Sequence, residues 1–457
     1  MAVKARTTFV CSDCGAEAGQ WQGQCTTCGA WNSLQRFTEP RARRGTGDGP
    51  RAPAPPPAGL QALREQRVDR WSTGMVELDR VLGGGLVGGS VILLGGDPGI
   101  GKSTLLLQAA THLAGQAPVL YATGEESLQQ VGERACRIER GDAPLDIIAD
   151  TSIEHILDEA AARQARVVIV DSIQTVVTEA VDALPGAVSQ VRESAARLVQ
   201  HAKRTGTAIL IIGHVTKEGT IAGPRVLEHM VDTVLYFESD SGSRFRIVRA
   251  VKNRFGAANE IGVFAMADQG LKEVRNPSAI FLSRHEEPVP GSVVTVIREG
   301  TRQMLVEVQA LVDPSHAAGP RRVTLGLESN RLAMLLAVLH RHAGLALHAH
   351  DVFVNVVGGV RVEETAADLA MVAAAVSSLR SQALAQDLVC FGEIGLAGEI
   401  RPVPYGEERL REAAKHGFRW AVVPRANVPR QAPEGMRVVG VVRLDEALRA
   451  FESGAAG

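Results

Sequence analysis

The sequence predicts an α/β protein: a P-loop nucleotide-binding domain on a mostly parallel sheet, preceded by a four-cysteine zinc motif and followed by a separate α+β domain. Three observations carry this reading. The run "GGDPGIGKST" at 95–104 lies between the apolar strand "SVILL" and the helical run "LLLQAATHLA". Apolar strands then alternate with helical patterns to about residue 275, as in a parallel sheet covered on both faces. Cys11, Cys14, Cys25 and Cys28 crowd the N-terminus in C-x2-C-x10-C-x2-C order.

The N-terminal element comes first. Each C-x2-C turn puts two sulfurs on one side of a tight knuckle, and two facing knuckles give a tetrahedral sulfur set that suits Zn²⁺ and leaves no open coordination position. These four cysteines are the expected zinc ligands, in a mini-domain spanning 1–38. Cys136 and Cys390 stand alone and are expected to be packing residues. Residues 39–60, rich in Pro, Gly, Arg and Ala without apolar periodicity, read as a linker stiffened by its prolines. Its Arg41, Arg43 and Arg44 fit a solvated linker, with a phosphate backbone as the alternative partner.

The ATPase domain is expected over 61–275. Phosphate oxygens need many donors at short range, so a backbone free of obstructing side chains must fold around them at a helix N-terminus. Gly96, Asp97, Pro98, Gly99, Ile100, Gly101, Lys102, Ser103 and Thr104 form this cradle. Lys102 reaches the terminal phosphates of ATP, and the Ser103 or Thr104 hydroxyl holds Mg²⁺. Asp171, at the tip of "RVVIVD", is the carboxylate expected beside the Mg²⁺ hydration shell, against the alternative of an ordinary Asp after an apolar strand. Glu125 and Glu126 follow the strand "PVLYATG". One of them is to position the attacking water, with Glu125 preferred, because Glu126 suits the dipole of the next helix. His214, at the tip of "AILIIGH", stands where it can sense the γ-phosphate, or else is a satisfied core histidine. The runs "DTVLYFE" and "FRIVRAVKNRFG" have no helix between them and are expected to form an antiparallel edge.

A second change of pattern falls near 275 and opens the C-terminal domain, 276–457. Two alternating strands turn at Glu299-Gly300-Thr301, then come the helix "NRLAMLLAVLHRHAG", the strand "DVFVNVVGG", an Ala-rich helix over about 363–385 and a further αβ run. Arg298, Arg302, Arg321 and Arg322 are expected to make a basic surface. His340, His342, His348 and His350 read as ordinary histidines, since no single face unites them.

Composition sets the outer limits. A chain of 457 residues suggests about three domains. A net charge of −2 supplies no global attraction to nucleic acid, so any such binding needs a local surface. No apolar run approaches the roughly eighteen residues of a membrane span, and the N-terminus has no secretory pattern, so no membrane partner and a cytoplasmic location are expected.

Several runs together resemble the RadA/Sms family of bacterial DNA repair and recombination proteins: "STGMVELDRVLGGGLVGGSVILLGGDPGIGKSTLLLQ", "GEES", "IVDSIQT", "GHVTKEGTIAGP" and "KNRFG". The resemblance covers essentially the whole chain. It implies a RecA-like ATPase core, an N-terminal zinc finger and a C-terminal Lon-protease-like domain. Lys252 and Arg254 of "KNRFG" match the K-x-R positions of RecA-like rings, where such cations act on a neighbouring subunit's γ-phosphate. The segment 175–193 and the loop 216–225 match DNA-facing loops; neither carries an aromatic platform, so binding would rest on charge and amides. The segment 389–418 is similar to the Lon stretch leading to its catalytic lysine, but that position falls on Glu407 and the serine position on Ala366. Proteolysis by a Ser–Lys dyad is therefore not expected. The resemblance implies a DNA-dependent ATPase and motor on single-stranded and branched DNA in homologous recombination, acting as a homo-hexameric ring with a RecA-type recombinase as partner. The alternatives are an ATP-switched scaffold of the KaiC type and, last, an ATP-dependent peptidase.

Overall fold

The fold is seen in a computed structural model that describes residues 7–11, 16–38, 69–138, 141–214, 226–239, 244–279, 281–282, 287–316 and 319–454. The expected linker, the loop 216–225 and Cys14 lie outside these residues.

The N-terminal ribbon is a three-stranded antiparallel sheet in which Thr7–Cys11 pairs with Glu17–Ala18 and with Leu34–Thr38. Cys11 and Cys25 are buried with Leu34, so sulfur takes the place that a hydrophobic core would occupy in a larger domain.

Beyond it, contacts divide the chain into two compact units that part between Glu273 and Val274. The first is organised on a nine-stranded sheet in the order 270–273, 261–267, 245–253, 233–238, 91–96, 208–214, 167–171, 119–123, 146–149. From 233–238 to 146–149 every neighbouring pair is parallel. Alternation along each strand sends side chains to two cores. Ile92, Leu94, Tyr121, Ile169 and Leu210 join the helix Lys102–Ala114 on one face. Val91, Leu93, Leu120, Val170 and Ile211 join the helices Ile153–Ala162 and Val188–Thr205 on the other. A fully buried aliphatic side chain contributes about 1.5–3 kcal/mol, which is why these strands read as unbroken apolar runs.

The expected antiparallel pair forms, Thr233–Glu238 against Phe245–Asn253, but it is not the edge of the sheet: Thr233–Glu238 also lies parallel against the central strand Val91–Gly96. The antiparallel extension instead runs outward through Phe245–Asn253, Ile261–Ala267 and Gly270–Glu273. The last two strands are joined by a tight turn, and the outermost has only four residues.

The second unit holds a seven-stranded mixed sheet in the order 322–325, 350–356, 302–314, 292–299, 388–390, 420–424, 437–441. The hairpin turns where expected, with Glu299 opposite Arg302 and Gly300 at φ 60°. The Ala-rich helix is shorter than composition suggests, spanning Asp368–Arg380. Upstream, Glu364 is held extended because its carboxylate accepts from the Arg298 amide and from the Arg409 guanidinium. Downstream, Ser381 turns left-handed at φ 52° and its amide caps the carbonyls of Ser377 and Ser378. Long-range bonds to Glu364 at the start and a local left-handed cap at the end override the alanine propensity.

The four arginines do not share one surface. Arg298 and Arg302 sit at the turn end of the hairpin, whereas Arg321 and Arg322 flank the far end of the 13-residue strand Arg302–Pro314, about 34 Å away at strand rise. Each also has local work: Arg298 stacks on Tyr405, Arg302 donates to the Arg275 carbonyl, Arg321 grips Asp351, and Arg322 donates to the Leu347 carbonyl. Cys390 is buried, and that burial raises its thiol pKa. Cys136, expected to pack, is exposed at the end of the helix Leu128–Ala135. Among the described residues no helix is long and apolar enough to cross a membrane.

Candidate active site

Strand register brings the nucleotide-site residues to one edge. His214 lies opposite Gly96, Ile211 opposite Val170, and Asp171 opposite Thr123, so the tips of four adjacent parallel strands end together. In such sheets the crevice beyond the carboxyl ends is where ligands bind.

The loop after Val91–Gly96 is shaped for close backbone approach. Gly96 has φ 152° and Gly101 φ 114°, and a Cβ on Gly96 would come within 2.6 Å of the Phe237 carbonyl oxygen. Asp97, Pro98 and Gly99 are exposed on the loop, while Ile100 is buried and its carbonyl accepts from Arg246 Nε at 3.2 Å. The helix Lys102–Ala114 starts at Gly101 with no side-chain cap, which leaves its first-turn amides directed at the loop. The donor set fits a polyphosphate.

Lys102 Nζ donates to the carbonyls of Gly96 at 2.7 Å and Asp97 at 2.8 Å and reaches His214 Nδ1 at 3.3 Å. Because an ammonium only donates, Nδ1 accepts, and His214 Nε2–H donates to Glu125 Oε1 at 2.8 Å. Ser172 Oγ donates to the same Glu125 oxygen. Burial lowers the Lys102 pKa, opposed by the charges of Asp171, Glu125 and Asp97. The His214 hydrogen bond does most to lower the Glu125 pKa, against burial and with help from Ser172.

Glu126 turns the other way. It pairs with Arg134 on the following helix, and its amide donates to Thr123 Oγ1 at 3.0 Å. Asp171 is 1% exposed; its Oδ2 accepts from the Tyr121 hydroxyl at 2.6 Å, and its Oδ1 is buried without a hydrogen bond. Burial raises its pKa; the Tyr121 hydrogen bond and then the nearby Ser103 hydroxyl, which makes no hydrogen bond to Oδ1, pull the other way. An anionic oxygen left open beside Ser103 suits the water shell of a divalent cation, so the residues fit Mg²⁺. Ser172, Tyr121 and Gln174 were missed in the sequence. Gln174 Nε2 donates to the His214 carbonyl at 3.4 Å. Ser172 and Gln174 lie within "IVDSIQT", but spacing alone gave no sign of their partners.

Lys252 and Arg254 are not brought to this cluster. The strand Phe245–Asn253 runs antiparallel, with Asn253 opposite Thr233, which in turn lies opposite Ile92. Arg254 therefore sits near the start of the central strand, about 17 Å below Gly96 at strand rise. There Lys252 Nζ donates to the carbonyls of Glu228 at 2.6 Å and Val231 at 2.8 Å, and Arg254 pairs with Asp232 at 3.2 Å.

At the zinc motif, Cys11, Cys25 and Cys28 converge with their sulfurs within 4.8 Å of one another. The Cys25 knuckle is closed by the Gly29 amide donating to the Cys25 carbonyl at 2.9 Å. Three thiols at this spacing fit a thiolate-bound metal. In the second unit Ala366 is buried, Glu407 pairs with Arg411 at 3.0 Å, and the Thr365 hydroxyl donates to Glu393 at 2.7 Å. No Ser–Lys pair stands there.

Three family models match along the chain. A family model described as an AAA domain matches residues 55–220. One described as a rubredoxin metal binding domain matches 9–36, and one described as subunit ChlI of Mg-chelatase matches 328–427. The chain is 60% identical to the DNA repair protein RadA of Pseudomonas aeruginosa over 451 residues, 98% of this chain and 99% of that one. It is 56% identical to that of Escherichia coli over 458 residues, 99% of this chain and all of that one. Identity to the Bacillus subtilis protein of the same name is 46% over 452 residues, 98% of each chain.

Proposed function

The chain belongs to the family of the DNA repair protein RadA, and from that premise we propose that it is an ATP-driven motor on single-stranded and branched DNA in homologous recombination. The observation that carries the proposal is the chain of contacts from Lys102 through His214 to Glu125, at the point where the strand Ala208–His214 leads into residues 215–225. A histidine that touches both the phosphate-loop lysine and the proposed water-positioning carboxylate can report the state of the nucleotide to a DNA-facing segment.

ATP, when bound, supplies a γ-phosphoryl group whose transfer to water releases the free energy used. Lys102 and the first-turn amides hold the phosphates, and Ser103, Thr104 and Asp171 hold the Mg²⁺ hydration shell. Glu125 orients and polarises the water, while Glu126 stays with Arg134. Lys252 and Arg254, far from their own loop, act on the next subunit of a hexameric ring, with a recombinase of the RecA type as partner. Cys14 completes the zinc site with Cys11, Cys25 and Cys28.

ATP turnover of the full chain, measured with and without single-stranded DNA, tests the motor. Turnover is expected to rise with DNA and to vanish in Lys102→Ala. Turnover indifferent to DNA would favour the ATP-switched scaffold, and normal turnover in Lys102→Ala would sink the site assignment.

A further inference from the structure

We propose that Tyr121 is a positioning residue for divalent-metal binding: its phenol holds Asp171 by Oδ2 and so presents Oδ1 to the metal's water shell. This rests on the nucleotide-site reading above and extends it by one residue outside the phosphate loop.

Tyr121 lies in the strand Val119–Thr123, beside the strand Val167–Asp171, with Thr123 opposite Asp171 and Tyr121 opposite Ile169. Tyr121 and Asp171 are therefore diagonal neighbours on the face that packs on the helix Lys102–Ala114, a separation that long aromatic side chains span. The phenol reaches up from within the core, where the ring is fully buried. It has a single proton, and that proton goes to Oδ2 at 2.6 Å.

Left to itself, an aspartate carboxylate rotates about χ2 and offers either oxygen. Here the two are made unequal. Oδ2 has a buried donor, whereas Oδ1 is just as buried and has none. A buried anionic oxygen without a donor is costly, so the arrangement makes chemical sense when water bound to a cation donates to Oδ1. Partners in the outer shell of a metal site act in this way, fixing the orientation of a group that touches the metal or its waters. Phenylalanine keeps the ring and removes only the proton donor.

Mn²⁺ is the probe, titrated into full-length protein with a non-hydrolysable ATP analogue while the electron paramagnetic resonance of free Mn²⁺ is followed. Tyr121→Phe is expected to weaken Mn²⁺ binding by about 10-fold, the low end of the range for losing an outer-shell partner, because Asp171 itself acts through the metal's waters. It is expected to leave the affinity for the metal-free analogue unchanged, which a general loss of structure would not do. Mg²⁺ required for half-maximal ATP turnover should rise in parallel. Mn²⁺ affinity equal to wild type, or equal losses with and without metal, would overturn the proposal. If the uncompensated Oδ2 unfolds the single variant, Asp171→Asn with Tyr121→Phe replaces it, because the amide removes the buried charge. In that background the phenol should no longer matter, and a further fall in Mn²⁺ affinity relative to Asp171→Asn alone would count against it. A wild-type chain with neither nucleotide-dependent Mn²⁺ binding nor ATP turnover would overturn the nucleotide-site reading together with this one. An active wild type with an unchanged Tyr121→Phe overturns this one alone.

Discussion

Glu125 and Glu126 are adjacent in the chain and belong to different networks. Glu125 faces the crevice, where His214 and Ser172 both donate to its Oε1 and lower its pKa, so it stays ionised at neutral pH and able to accept a proton from water. Glu126 is committed to Arg134 and closes the turn through Thr123. Glu125→Gln should keep ATP binding and lose about 10²- to 10⁴-fold in turnover, the range for removing a general base. Glu126→Gln should lose far less. Rapid-quench measurement of a single turnover beside equilibrium nucleotide binding separates the two, and equal losses would dissolve the distinction. The choice between the two glutamates required the side-chain directions that follow the strand tip, and the sequence offered only a preference.

Short elements in the second unit are held by charge as much as by packing. The strand Arg322–Leu325 is four residues long and, among the described residues, pairs only with His350–Val356. Beside that pairing, Asp351 accepts from the Arg321 amide at 2.8 Å and from Arg321 Nε and Nη2 at 2.8 and 2.7 Å. These bonds, the amide first, lower the Asp351 pKa to about 2. A depressed carboxyl pKa stabilises the folded state above the unfolded value of about 3.9, and the contribution fades as pH falls towards the folded value. Asp351→Asn should therefore lower the melting temperature of the second unit by a constant amount at neutral pH. The gap should narrow from about pH 5 downward and close only below the folded value, at about pH 1. A gap independent of pH between 2 and 5 would show that Arg321 does not act through the Asp351 charge.

Across the molecule, the separation of Lys252 and Arg254 from their own phosphate loop bears on assembly. A strand that runs antiparallel to the central one carries its C-terminal residues away from the nucleotide edge, so these cations lie away from their own phosphate loop, and the proposal that they serve a neighbouring copy is open to a direct test. A subunit with Lys252→Ala and Arg254→Ala keeps its phosphate loop and should bind ATP, yet lose about 10³- to 10⁵-fold in hydrolysis. Mixed with Lys102→Ala subunits under exchange, it should regain part of the activity, because some interfaces then join an intact pocket to intact cations. Mixtures that stay inactive despite verified exchange would remove the trans assignment. Steady-state ATPase against mixing ratio, with exchange followed by mass, makes the measurement.

Local chemistry was legible wherever a function imposes a residue type at a fixed spacing. Phosphate needs glycines and a lysine at a helix start, which wrote Gly96, Gly101 and Lys102 into one run, and a thiolate knuckle wrote the cysteine pairs. Burial on both faces made the parallel strands readable as apolar runs. Tertiary structure alone decided what depends on residues distant in sequence. It brought Tyr121 under Asp171 and Ser172 to Glu125. It also held Glu364 extended ahead of the Ala-rich helix and divided four arginines between two ends of a sheet. The physical reason is that propensity and pattern act over a few residues, whereas a hydrogen bond forms wherever strand register delivers its two partners, and register is a property of the whole sheet.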